Sequence, residues 1–143
     1  MGTGSHPHET WRSLDQTHAA VLGRLQRALE AAELPPLSWF ELLASIGAAD
    51  RGQMTMGELA EAVVITRGGL TKLVDRLVAA GLVERRFAAA DRRLCYAALL
   101  PGGTELLAGM VPVISAELRL CFGSADDATR SARMLERLRD GSG

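Results

Sequence analysis

The stretch "TRGGLTKLVDRLVAAGLVERR", Thr66 to Arg86, decides how the rest of the chain is read. Leu70, Leu73, Val74, Leu77 and Val78 recur at i, i+3, i+4, i+7 and i+8, which puts them on one stripe of a helix. Gly68, Lys72, Asp75 and Arg76 fall on the other side. The spacing predicts a helix docked on a core, with a basic outer face. Thr66 is placed to cap its first turn, because a hydroxyl can accept from backbone N–H groups that lack partners inside the helix. Gly81 is placed to end it in the left-handed conformation.

The residues beyond Gly81 give this helix its meaning. "LVERRFAAADRRLCYAAL" predicts two short strands, Leu82 to Phe87 and Leu94 to Leu99, joined by a loop that carries Asp91, Arg92 and Arg93. A helix followed by a basic hairpin is the pattern of a winged helix.

The charge distribution points the same way. The net charge of −1 argues at first against a nucleic-acid partner, whose binding rests on phosphate neutralisation. Yet Thr66 to Arg93 holds seven basic residues (Arg67, Lys72, Arg76, Arg85, Arg86, Arg92, Arg93) against three acidic ones (Asp75, Glu84, Asp91), a local net of +4. The remaining residues, nine basic against fourteen acidic, carry −5. Positive charge is concentrated on the helix and hairpin, and the acidic remainder limits indiscriminate adhesion to DNA.

Here the residues resemble a known family. "MTMGELAEAVVITRGGLTKLVDRLVAAGLVERR", Met54 to Arg86, looks like the helix-turn-helix of the MarR family of bacterial transcription regulators, and "DRR", Asp91 to Arg93, looks like its wing signature. The resemblance covers roughly Leu37 to Met110. It implies a mainly α fold with a small β-hairpin wing, in which the first helix and the last two form a dimer interface. Two recognition helices are then presented to successive major grooves of double-stranded DNA. It also implies that Arg93, in the family's D-x-R pattern, reaches the minor groove while Asp91 holds the loop, with Arg92 as a second candidate. Narrow A·T-tract minor grooves attract inserted arginine, a physical reason for that motif.

On this reading the DNA-facing set is Thr66, Arg67, Gly68, Gly69, Thr71, Lys72, Arg76, Asp91, Arg92 and Arg93. Bases suit Thr71 and Lys72 better than Arg76. The family usually has polar residues where this chain has Gly68 and Gly69. Their missing side chains remove contacts but let the backbone approach the groove. "AAA" before Asp91 is also plainer than the family's wing tips, and Leu99-Leu100-Pro101 replaces the usual Leu-Thr-Pro.

The flanks are helical. Residues 1–9 lack periodicity and read as a flexible tail, with residues 10–143 as one domain, since 143 residues at 48% hydrophobic content suit one compact unit. Trp11, Leu14, Val21, Leu22, Leu25, Ala28, Leu29 and Ala32 recur at helical spacing until "LPP" stops the helix. Ser38 and Glu41 form an S-x-x-E capping box, predicting a second helix from Trp39 to near Ala49. Met54 and Thr55 read as a very short strand, and "GELAEAV" as a helix burying Leu59 and Val63. After the hairpin, a helix from Pro101 carries Leu106, Leu107, Met110, Val113 and Ile114, with a kink expected at Pro112. Ser124 and Asp127 cap a last helix expected to bury Ala128, Ala132, Leu135 and Leu138. The winged core thus spans about 37–100, with dimerisation helices near 10–34 and 101–140. A core of that size cannot cover every apolar face of the flanking helices, so a homodimer is expected.

Other chemistry is weakly encoded. No stretch reaches the roughly 18 uninterrupted apolar residues of a membrane helix, and no signal-peptide core appears, so a cytoplasmic protein without a membrane partner is expected. Cys95 and Cys121 lack disulfide or ligand spacing and read as structural thiols. His6, His8 and His18 do not form a zinc pattern. No Gly-x-Ser-x-Gly, phosphate loop or His-carboxylate cluster is present, so no enzyme, cofactor or metal is expected. The resemblance implies a small aromatic effector, for which His18, Trp39, Phe40 and Met110 are the candidate residues. The alternatives are a winged helix that binds protein instead of DNA, and a metal or thiol sensor on the same fold.

Overall fold

The computed structural model describes residues 6–141. Its elements are α1 (Pro7–Ala31), α2 (Leu37–Ala48), a 3-10 turn (Asp50–Gly52), β1 (Gln53–Thr55), α3 (Met56–Ala62), α4 (Arg67–Ala79), β2 (Val83–Phe87), β3 (Cys95–Leu99), α5 (Pro101–Phe122) and α6 (Ala125–Arg139). The fold is mostly helical, with one small antiparallel sheet of order β1-β3-β2. The described residues form two compact units, Leu34–Pro112 and residues 6–33 with 113–141. Their boundary lies inside α5, whereas the sequence assigns all of that helix to dimerisation.

In the unit Leu34–Pro112, Leu42, Leu43 and Ile46 of α2, Leu59 of α3, Leu70, Leu73, Val74 and Leu77 of α4, and Val83 and Ala97 of the sheet pack into one buried cluster. The stripe predicted for α4 is therefore the stripe that is buried, apart from Val78 at its edge, which is half-buried. Burying each leucine is worth roughly 1.5–3 kcal/mol relative to exposure, so this stripe and not helix propensity holds α4 in place.

Local signals set the ends of the elements. Thr55 Oγ1 accepts from the Glu58 N–H at 3.1 Å while Glu58 Oε2 accepts from the Thr55 N–H at 2.7 Å, a reciprocal cap that starts α3 directly from β1. Thr66 Oγ1 accepts from the Gly69 N–H at 3.1 Å and starts α4 as expected. At the other end, the Gly81 N–H donates to Val78 O and the Leu82 N–H to Leu77 O, both at 3.0 Å, with Gly81 at φ +72. This is a Schellman stop, and it turns the chain back along α4 into β2. The strands then pair Val83 with Leu99 and Phe87 with Cys95, while β1 pairs Thr55 with Tyr96.

Gly103 is required by close approach. A Cβ there would overlap the Leu82 carbonyl oxygen and lie 2.7 Å from Leu99 Cδ1, so the first turn of α5 rests against the base of the hairpin. The Leu100 N–H donates to the same carbonyl at 2.9 Å.

Three expectations need correction. Helix α1 begins at Pro7, so His8 and Glu9 of the supposed tail are helical; proline suits this first turn because its missing N–H has no partner there anyway. Residues 1–5 lie outside the described residues. Helix α2 begins at Leu37 after Pro36, whose extended backbone serves as N-cap, so Ser38 is already inside the helix and its capping box does not form. Helix α6 has the Ser124–Asp127 capping box but no buried residue: Ala128 is half-buried, Ala132 is exposed, and Leu135 and Leu138 are 47% and 63% exposed. Its leucines are left largely uncovered among the described residues. Pro112 lies within a continuous α5.

In the unit containing α1, Leu25, Leu29 and Ile114 are buried, and Arg24 pairs with Glu117 at 3.3 Å. Trp11, Leu14, Leu120 and Met134 are exposed there along with the α6 leucines. No single helix among the described residues is long and apolar enough to cross a membrane.

Candidate nucleic-acid interface

The outward side of α4 follows from the burial of its inward stripe. Arg67, Gly68, Thr71, Lys72, Asp75 and Arg76 are exposed, and the N-cap Thr66 leads into them. The two glycines of the first turn differ in role. Nothing lies within 4 Å of a Cβ built on Gly68, so its missing side chain leaves open space on the outer face. A Cβ on Gly69 would stand 3.0 Å from Thr66 Oγ1 and 3.1 Å from Ile65 Cγ1, so Gly69 makes room for the cap and the preceding turn. Thr71 bonds backward, its hydroxyl donating to the Arg67 carbonyl at 3.1 Å.

The hairpin loop is held at its turn. Asp91 Oδ1 accepts from the Arg93 N–H at 3.0 Å, the Leu94 N–H donates to Asp91 O at 3.1 Å, and the Ala88 N–H to Leu94 O at 3.0 Å. Asp91 is thus spent on the backbone, a common use of aspartate in turns. Arg92 and Arg93 are exposed on this loop.

Electrostatics follow from these placements. All three acidic residues between Thr66 and Arg93 are engaged: Asp75 with Arg85, Glu84 with Arg86, and Asp91 with the Arg93 N–H. Arg67, Lys72, Arg76, Arg92 and Arg93 have no carboxylate within 4.0 Å among the described residues. Five exposed cations, all in one unit, remain free for an anionic partner.

Sequence reasoning counts Arg85 only as charge and misses its pairing with Asp75. The residues lie ten apart, and only the turn at Gly81 brings them together. It also misses the Thr55–Glu58 cap, although T-x-x-E is there to be found. The effector candidates fall in both units. Trp39, on the core cluster, and Phe40 are half-buried, and Met110 is fully enclosed, in the unit Leu34–Pro112. His18 lies exposed on α1. Cys95 and Cys121 are both half-buried free thiols.

Two helices joined by a tight turn, the second exposing cations and running into an antiparallel hairpin, define a winged helix-turn-helix. Residues 33–94 match the sequence model of the MarR family, so this stretch of the chain is similar to that family. Solved structures with this fold include Sco3205, a MarR family transcriptional regulator from Streptomyces coelicolor in complex with DNA, at 24% identity and a TM-score of 0.83, covering 99% of this chain and 91% of that one. A mutant MarR from E. coli complexed with operator DNA is similar at 23% identity and a TM-score of 0.74, over 89% and 91% of the two chains. BpsR from Bordetella bronchiseptica, whose DNA binding is regulated by 6-hydroxynicotinic acid, is similar at 20% identity and a TM-score of 0.77, over 98% and 97%. At these identities the likeness establishes the fold. No curated protein matches the chain significantly.

Proposed function

We infer that this protein is a sequence-specific DNA-binding transcription regulator, a cytoplasmic repressor that acts as a homodimer on an inverted-repeat operator. The observation that carries this reading is the charge pattern of the winged unit. Every carboxylate between Thr66 and Arg93 is engaged, while five exposed cations on α4 and the wing are not. Such a surface neutralises phosphates, and each neutralised phosphate releases counterions, which supplies most of the affinity. The DNA complexes of Sco3205 and of E. coli MarR support the reading.

In this reading Arg67, Arg76, Arg92 and Arg93 meet backbone or minor groove, Thr71 and Lys72 meet base edges, and Thr66, Gly69 and Asp91 hold those residues in position. The uncovered leucines of α6 pack against a second copy. A small aromatic effector regulates DNA binding, as 6-hydroxynicotinic acid regulates that of BpsR, and Trp39, Phe40 and Met110 in the unit Leu34–Pro112 are its candidate contacts. No catalytic role is assigned.

The test is selection from a random duplex library followed by footprinting. Enrichment of an inverted repeat whose half-site centres lie about one helical turn, roughly 34 Å, apart is the expected result. A folded protein that enriches no duplex would overturn the reading in favour of a winged helix that binds protein.

A further inference from the structure

We propose that Thr71 reads the 5-methyl group of thymine, and does so through its own methyl group instead of its hydroxyl. The proposal rests on the DNA-binding reading above and assigns a specificity to one of its residues.

The first observation is that the hydroxyl proton is already committed. Thr71 Oγ1 donates to the carbonyl oxygen of Arg67, one turn back, at 3.1 Å. Base pairs are told apart in the major groove by their donors and acceptors, and thymine also by its C5-methyl. A hydroxyl whose proton is held by its own helix cannot donate to a purine N7 or a thymine O4 without breaking that bond. Against thymine, which offers only an acceptor and a methyl group in the major groove, the methyl is then the part of the side chain left to make contact.

The surroundings of Thr71 offer apolar surface beside charged groups. Thr71 lines a groove between α3 and α4 in which Met56, Ala60, Ile65 and Leu70 supply apolar wall and Glu61 and Arg67 the charged part. Three residues before Thr71, and so on the same face of the helix, Gly68 leaves open space where a side chain would stand. A base edge can therefore come close to the helix beside Thr71. Lys72, the next residue, is exposed and supplies the charged contact that a methyl cannot.

Serine and valine separate the two halves of threonine. Thr71→Ser keeps the hydroxyl and removes the methyl, and Thr71→Val keeps the methyl and removes the hydroxyl. The probe is the tightest duplex selected from the random library by the full-length protein, remade with each thymine in turn replaced by deoxyuridine, which lacks only the methyl. For the parent protein, one thymine per half-site should be sensitive, with binding weakened about fourfold, the expected effect of one buried methyl group. Thr71→Ser should bind thymine and uracil duplexes equally. Thr71→Val should keep the preference for thymine. Equal binding to scrambled duplex by all three proteins shows that the variants are folded.

A parent protein indifferent to uracil at every position overturns the proposal, and so does a preference that survives in Thr71→Ser but is lost in Thr71→Val. Both outcomes leave a specific complex in place and so leave the DNA-binding reading standing. Failure to select any duplex removes both.

Discussion

Asp75 on the outer face of α4 and Arg85 on β2 form an ion pair, with Nη1 and Oδ1 2.6 Å apart, that ties the exposed helix to the wing. It neutralises the one carboxylate that α4 presents alongside Lys72 and Arg76. Both side chains are partly exposed, so the pair is worth at most about 1 kcal/mol of stability. Its effect should be on DNA. Arg85→Ala leaves Asp75 unpaired beside the phosphates and should weaken binding several-fold with little change in Tm. Asp75→Ala releases a sixth cation and should steepen the dependence of log K on log salt. Fluorescence anisotropy at several salt concentrations measures both effects. Parental affinity and slope in both variants would show that this side of α4 does not face DNA.

Wing and helix should differ in what they read. Arg93→Ala and Arg92→Ala should weaken binding to all duplexes, most where the flanks are A·T-rich, and should each make the salt slope shallower by about 0.9. Lys72→Ala should alter sequence preference as well, by about 1–3 kcal/mol if Lys72 meets a base edge. Salt titrations on selected and scrambled duplexes separate the two behaviours. Unchanged affinity and slope in both arginine variants would remove the wing from the interface.

The uncovered face of α6 predicts its own behaviour. Leu135 and Leu138 are 47% and 63% exposed on a helix with no fully buried residue among the described ones. A patch of this kind marks an interaction surface. The parent protein should sediment as a dimer at low micromolar concentration, and Leu135→Glu with Leu138→Glu should shift it toward monomer. A folded, monodisperse parent monomer is the result that counts against the dimer.

Gly103 offers a test of packing apart from DNA. Because a Cβ would overlap the Leu82 carbonyl, Gly103→Ala should destabilise the protein by about 1–3 kcal/mol through overpacking, with the hairpin base displaced. Gly68→Ala, at an open site, should be neutral or slightly stabilising, since alanine favours a helix over glycine. Thermal melts of the two variants compare them directly, and equal melting temperatures would mean that α5 does not rest on the hairpin as described.

Much of this protein was legible in its sequence. The stripe Leu70, Leu73, Val74, Leu77 has helical spacing, Thr66 and Gly81 are start and stop signals acting within one turn, and the hairpin follows from two short strand-like runs around the loop that carries Asp91, Arg92 and Arg93. These are local effects of backbone and side-chain chemistry, which neighbours in sequence suffice to set. Ser38 shows where such signals compete: its capping box was present, yet Pro36 took the cap because its backbone was already extended. Tertiary structure decided whatever depends on residues distant in the chain. Arg85 lost its freedom to Asp75 only once the turn at Gly81 folded β2 back along α4, and the need for Gly103 came only from the Leu82 carbonyl that α5 approaches. The leucines of α6 have the helical pattern of a core yet stay 47% and 63% exposed among the described residues, because periodicity encodes which residues share a face and carries no information about what that face will meet.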